Sequence, residues 1–225
     1  APRVQPEHLD VPGLGRLSRL ERLRYDEARK IWHANLGPLR TPQMSMALGT
    51  LDEIIDSSRE GGEKVKGSAV IDALPGLGKT TIALQHAKEF HRTQIELYGS
   101  NTPEGHERLP VAAVTLTGKT TIKGLHKSLC AFYGLPSRTG STDDLRERVL
   151  DAVLSCRTKL IVVDDIHFLN TRRHDDREVI NHLKHLSSVL PVVFVFVGIN
   201  IESHGLLGEG TDADAAERGQ IGRRW

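Results

Sequence analysis

Residues 73–81 read ALPGLGKTT, and no other stretch limits the possible folds of this chain so sharply. The run follows a short apolar segment, SAVIDAL (68–74), and leads into Thr80–Phe90, which has helical patterning. Strand, glycine-rich turn and helix form the setting required by the pattern G-x-x-x-x-G-K-[ST]. Ala73 takes the first position, where the strand ends and a small side chain is tolerated; Leu74, Pro75, Gly76, Leu77, Gly78, Lys79 and Thr80 follow. Gly76 and Gly78 supply backbone angles that other residues avoid. Successive N–H groups then turn inward around an anion, and the helix that follows aims its positive end at the same point. The expected ligand is ATP, contacted by Pro75, Gly76, Leu77, Gly78, Lys79, Thr80 and Thr81. In that arrangement Lys79 reaches the β- and γ-phosphates, and the Thr80 hydroxyl binds Mg²⁺.

A second segment, AVTLTGKT (113–120), fits the same pattern if alanine is again allowed first. It is set aside because Val114, Thr115 and Leu116 continue a β pattern and no inner glycine opens a loop.

The rest of the chain supports an α/β fold. VAAVTL (111–116), KLIVVDDIH (159–167) and Pro191–Val197 read as strands, while 120–133, 143–156 and 176–189 read as helices. Alternation of this kind implies a parallel sheet covered on both faces, the three-layer architecture of P-loop NTPases. Residues 92–109 carry Gly99, Asn101, Pro103 and Gly105 and read as an exposed loop. Ahead of the core, 16–33 and 43–58 read as helices separated by the breaker NLGPLRTP (35–42). The expected division is a flexible or extended 1–15, a helical segment over 16–62 and the nucleotide-binding core over 63–225.

Composition narrows the alternatives. Aromatics are 4% and the formal net charge is +1, so neither a base-stacking surface nor a global basic field is built in. Cys130 and Cys156 make neither a disulfide framework nor a metal knuckle. The N-terminus has no signal-peptide pattern, and the most apolar run, 189–201, is too short to span a bilayer at about 20 residues. The expectation is a cytoplasmic protein with no membrane partner.

LIVVDDIHFL (160–169) places two carboxylates at the C-terminal end of an apolar strand. Ligands of open α/β sheets bind at that edge. Asp164 is expected to hold Mg²⁺, directly or through water, and Asp165 to orient or deprotonate the attacking water. His167 either contacts the site or caps the turn. VVFVFVGIN (192–200) ends in Asn200, a polar tip suited to touching the γ-phosphate or the water. GQIGRRW (219–225) offers Arg223 and Arg224 as arginine-finger candidates, or as solvated basic residues.

The order P-loop, DDIH strand, GIN strand and terminal GRR resembles the AAA+ ATPases. RYDEARKIWHANLGPLRTPQM (24–44) and IGRRW look like TniB-type transposition helpers, relatives of the TnsC and IstB regulators. The resemblance implies Trp32, His33 and Leu39–Thr41 near the adenine, self-assembly on DNA with ATP bound, and recruitment of a transposase. Such proteins usually carry Glu where Asp165 stands, which implies slow hydrolysis. They also continue past the equivalent of Trp225 into a helical lid, so the lid is expected to be truncated or absent here. Two other readings stay open: an NB-ARC-like nucleotide switch controlling a partner surface, and an ATP-binding module that does not hydrolyse.

Overall fold

The computed structural model describes residues 4–35, 37–58, 67–170 and 172–201. The chain divides into two compact units, 1–41 and 42–225.

The first unit contains α1 (Val11–Arg16) and α2 (Arg19–Ala34). Residues 11–16 are helical rather than extended because Asp10 caps them, its carboxylate accepting from the Gly13 N–H at 2.7 Å. Ser18 and Glu21 form a reciprocal capping box that starts α2. The Tyr25 hydroxyl donates to the Glu7 carbonyl at 3.0 Å and ties the leading strand of chain to the helix.

The second unit opens with α3 (Pro42–Ser57) and continues through β1 (Ser68–Asp72), α4 (Lys79–Tyr98), β2 (Val111–Thr115), α5 (Ile122–Phe132), α6 (Thr142–Ser155), β3 (Leu160–Asp164), α7 (His174–Val189) and β4 (Val193–Gly198). A 3-10 turn at Ile166–Phe168 follows β3. Among the described residues the strands form one parallel sheet in the order β1-β4-β3-β2. The three-layer α/β fold expected from the sequence is the one observed.

Strand periodicity explains the layers. Side chains alternate faces along a strand, so a sheet covered on both sides needs apolar residues at every position. Ile161, Val163, Phe194 and Phe196 point to one face and meet α5, α6 and α7 through Leu125, Leu129, Leu145, Val149, Ile180 and Leu183. Leu160, Val162, Val193, Val195 and Val197 point to the other and meet α3 and α4 through Leu51, Ile55, Ala83 and Ala87. Each large side chain sealed this way contributes about 1.5–3 kcal/mol relative to exposure.

One element departs from its sequence pattern. The helix after the glycine-rich turn continues to Tyr98, over residues expected in a loop. Gln94 is buried, and its side-chain carbonyl accepts from Lys159 Nζ at 2.7 Å. Tyr98 lies beneath the Lys159 and Arg108 cations, 4.8 Å and 5.6 Å from the ring centre. These tertiary contacts hold two extra turns that local polarity disfavours. Gly99, at φ +77°, ends the helix.

A histidine pair joins α5 and α7, His126 buried and His182 partly exposed. His126 Nε2 lies 2.8 Å from His182 Nε2, with the rings edge to face at 4.8 Å. One ring must donate and the other accept, so the contact requires that they not both be protonated. Burial, then the neighbouring charges of His182 and Arg146, press the His126 pKa down to about 4 against the opposing pull of Asp143. His182 is lowered by burial, His185 and Arg146. The folded state therefore binds fewer protons than the unfolded chain between about pH 6.5 and pH 4, and stability falls as pH drops through that window. Urea midpoints measured from pH 7.5 to 4.5 are expected to fall, with a shallower slope in a His126→Leu chain.

Candidate functional site

Parallel strands present all their C-terminal ends at one edge, and that edge collects the loops singled out by sequence. β1 delivers 73–78, β4 delivers Gly198–Asn200 and β3 delivers Asp164–Asp165. In register, Asp72 pairs with Gly198, and Val163 pairs with Phe196 one residue before Asp164. β1 and β3 flank β4, so the phosphate loop and the acidic strand end are two strand spacings apart, about 10 Å.

Gly76 and Gly78 both sit at φ +79°. A Cβ added at either meets no heavy atom within 4 Å, so the requirement for glycine is conformational rather than spatial. Left-handed backbone costs other residues roughly 1–2 kcal/mol. Gly78 is the N-cap of α4 and offers no side-chain cap, which leaves first-turn amides available to a ligand. Lys79 is buried along its stem, and its Nζ donates to the Leu74 carbonyl at 2.9 Å, holding the ammonium on the loop. Thr80 and Thr81 are exposed at the helix start. Pro75 has no N–H and therefore shapes the loop without donating.

Asp164 is half-buried, and its Oδ1 accepts the Asp165 N–H at 2.8 Å. Asp165 is left-handed at φ +59°, ψ +35°, which turns the chain out of β3 into the 3-10 turn. Its Oδ1 lies 3.8 Å from His167 Nδ1. His167 stacks on Phe168 with ring centres 4.6 Å apart and is thereby held beside the acidic pair. Asn200 is exposed and left-handed at φ +51°, a conformation asparagine tolerates. Arg223 and Arg224 lie outside the described residues. Trp32, His33 and Leu39–Thr41 belong to the first unit.

The residues fit a magnesium-bound triphosphate in chemistry: a loop with two left-handed glycines, a helix N-terminus without a side-chain cap, an ammonium, a hydroxyl and a carboxylate at one sheet edge. The competing GKT segment is built otherwise. Thr117 N–H donates to Thr120 Oγ1 at 2.8 Å, and Thr120 N–H donates to the Thr117 carbonyl at 3.0 Å. Thr121 caps α5 by accepting from Gly124 N–H. These amides serve the turn and the cap.

Two features were not singled out from sequence. Gly198 is a close-packing site: a Cβ there would stand 3.0 Å from both Ile166 Cγ2 and Ile201 Cγ1. Asp72 closes β1, and its Oδ2 accepts the Ile201 N–H at 2.8 Å. A carboxylate ending an apolar strand was the available sign, as it was in β3.

A family model described as an AAA domain matches residues 62–207, about two thirds of the chain. No curated protein matches the chain. Solved structures similar to it include the Aeropyrum pernix ORC1 protein in complex with DNA (TM-score 0.58, 18% identity, covering 84% of this chain and 45% of that one). The Pyrobaculum aerophilum Cdc6p is another (0.51, 19%, 84% and 46%). A third is the Aeropyrum pernix ORC2 protein in ADPNP–ADP complexes (0.52, 13%, 83% and 48%). The chain spans less than half the length of each. At such identities the likeness speaks to the fold alone. Among the described residues no helix is long and apolar enough to cross a membrane.

Proposed function

As the chain belongs to the AAA domain family, we propose that it is an ATP-binding AAA+ NTPase that assembles in an ATP-dependent manner on DNA and regulates transposition by recruiting a transposase. The observation that carries the nucleotide part is the meeting of Gly76–Thr80, Asp164–Asp165 and Asn200 at one sheet edge. The transposition part is supported by the resemblance of residues 24–44 and IGRRW to TniB-type helpers.

The roles follow from position and chemistry. Loop amides and Lys79 bind the β- and γ-phosphates. Thr80 and Asp164 hold Mg²⁺, which when bound offsets charge on the phosphate oxygens. Asp165 orients the attacking water or accepts its proton, and Asn200 contacts the γ-phosphate. Arg223 or Arg224 supplies a finger to a neighbouring subunit. Cytoplasmic residence follows from this role.

A second reading, nucleotide binding without useful turnover, is favoured by one observation. Asp165 is a methylene shorter than glutamate and leaves its strand in a left-handed turn. Single-turnover phosphate release by the unaltered chain and by Asp165→Asn separates the two.

The assembly claim is tested by sedimentation with duplex DNA, Mg²⁺ and a non-hydrolysable ATP analogue. Multimers on DNA are expected with the analogue and not with ADP or with Lys79→Ala. A chain that stays monomeric in every condition would count against the helper role.

A further inference from the structure

We infer that Asp72 is a positioning residue that couples the phosphate-loop strand to the sensor tip, fixing Asn200 where it can distinguish ATP from ADP. The inference rests on the proposed reading of Asn200 as the γ-phosphate contact.

β1 and β4 run side by side in parallel, and the last paired residues are Asp72 and Gly198. Beyond this point β1 can offer no further ladder carbonyl to β4, because the chain leaves at Ala73 to form the phosphate loop. The Asp72 carboxylate takes over as acceptor, receiving the Ile201 N–H at 2.8 Å across a sequence separation of 129 residues. Ile201 is itself fully buried. Its Cγ1 and Ile166 Cγ2 both stand 3.0 Å from the point where a Gly198 Cβ would be. Ile166 belongs to the turn that follows Asp164 and Asp165, so Gly198, Ile201 and Ile166 form one packed knot between the acidic strand end and β4.

The short turn 199–200 is therefore pinned at both ends. Gly198 is fixed in the sheet, and Ile201 by burial and by Asp72. Asn200 lies on this turn in a left-handed conformation at φ +51°. The residue that anchors the far end of the turn is covalently joined to the phosphate loop through Ala73. The Asp72–Ile201 hydrogen bond thus extends the β1–β4 ladder past Gly198 and links the phosphate-loop strand to the far end of the Asn200 turn.

The role asks for an acceptor and not for a charge, which separates it from a magnesium-binding or water-activating role. Dissociation constants for Mg²⁺-ADP and for a Mg²⁺-bound non-hydrolysable ATP analogue are measured on the 225-residue chain. In Asp72→Ala the analogue is expected to bind about tenfold more weakly while ADP changes less than about twofold, the upper end of the scale for one ordinary hydrogen bond. Asp72→Asn, which keeps a side-chain carbonyl, is expected to stay within about twofold of the unaltered chain for both. Asn200→Ala is expected to match Asp72→Ala, and the double variant to lose no more than either alone. An unchanged analogue-to-ADP ratio in Asp72→Ala overturns the inference. So does equal loss in Asp72→Asn, or additive loss in the double variant. Should Asp72→Ala fail to fold, Asp72→Val, which also removes the acceptor and suits a strand end, takes its place: the same tenfold selective loss of the analogue is expected, and an unchanged ratio overturns the inference. Failure of the unaltered chain to bind either nucleotide overturns the functional reading and this inference together, whereas a nucleotide-binding chain indifferent to Asp72 overturns this inference only.

Discussion

Lys79→Ala is expected to weaken ATP binding at least about 100-fold, while Lys119→Ala leaves it within about twofold. Two lysines stand in GKT sequences, and only their surroundings differ. The stem of Lys79 is buried and its ammonium already rests on the phosphate loop, 2.9 Å from the Leu74 carbonyl. Its side chain is ordered before any phosphate arrives, so little conformational entropy opposes the new bonds. Charge-assisted hydrogen bonds are worth about 1.5–3 kcal/mol each, and two of them account for the expected loss. Lys119 is exposed on a turn whose neighbouring amides bond internally. Gly118 is not among the left-handed glycines. Nucleotide titration by fluorescence or calorimetry reads the difference. Equal loss in both variants would show that neither loop is specific.

Asp165→Asn is expected to lower the rate of phosphate release by about 100-fold or more, while ATP affinity stays within about threefold. General-base contributions are commonly 10²–10⁴-fold. Asparagine matches aspartate in shape and tolerates the left-handed backbone at φ +59°, so the fold of the strand end is preserved. What is lost is the carboxylate beside His167. Asp164 retains its bond from the Asp165 N–H, because that donor belongs to the main chain. A single-turnover phosphate-release assay measures the change. A chain that binds ATP yet releases no phosphate before or after the substitution would favour the non-hydrolysing reading.

The features legible in sequence are those in which a local pattern and its tertiary use coincide. LIVVD and VFVFVG are apolar at nearly every position because both sheet faces are covered, so strand identity and burial carry the same information. Gly76 and Gly78 were readable because left-handed backbone demands glycine. The two final turns of α4 were not legible, since Gln94 and Tyr98 are held by Lys159 from a distant part of the chain, with Arg108 adding a contact to Tyr98 across the following loop. The Asp72–Ile201 bond has the same origin: it joins residues adjacent only after β4 has inserted beside β1. The left-handed turn at Asp165 was hidden for a different reason, because aspartate there is unremarkable until the chain must leave β3 sharply. Local propensity does not encode contacts that sheet order creates.

The nucleotide reading requires that one triphosphate be gripped by the amides of Gly76–Lys79 while its magnesium lies within reach of Asp164. A crystal structure with a non-hydrolysable ATP analogue and Mg²⁺ tests it most directly. Phosphates are expected inside the 74–80 loop, with a metal within reach of both the Thr80 hydroxyl and Asp164. A nucleotide seated at Gly118–Thr121, or a metal remote from Asp164, would contradict it.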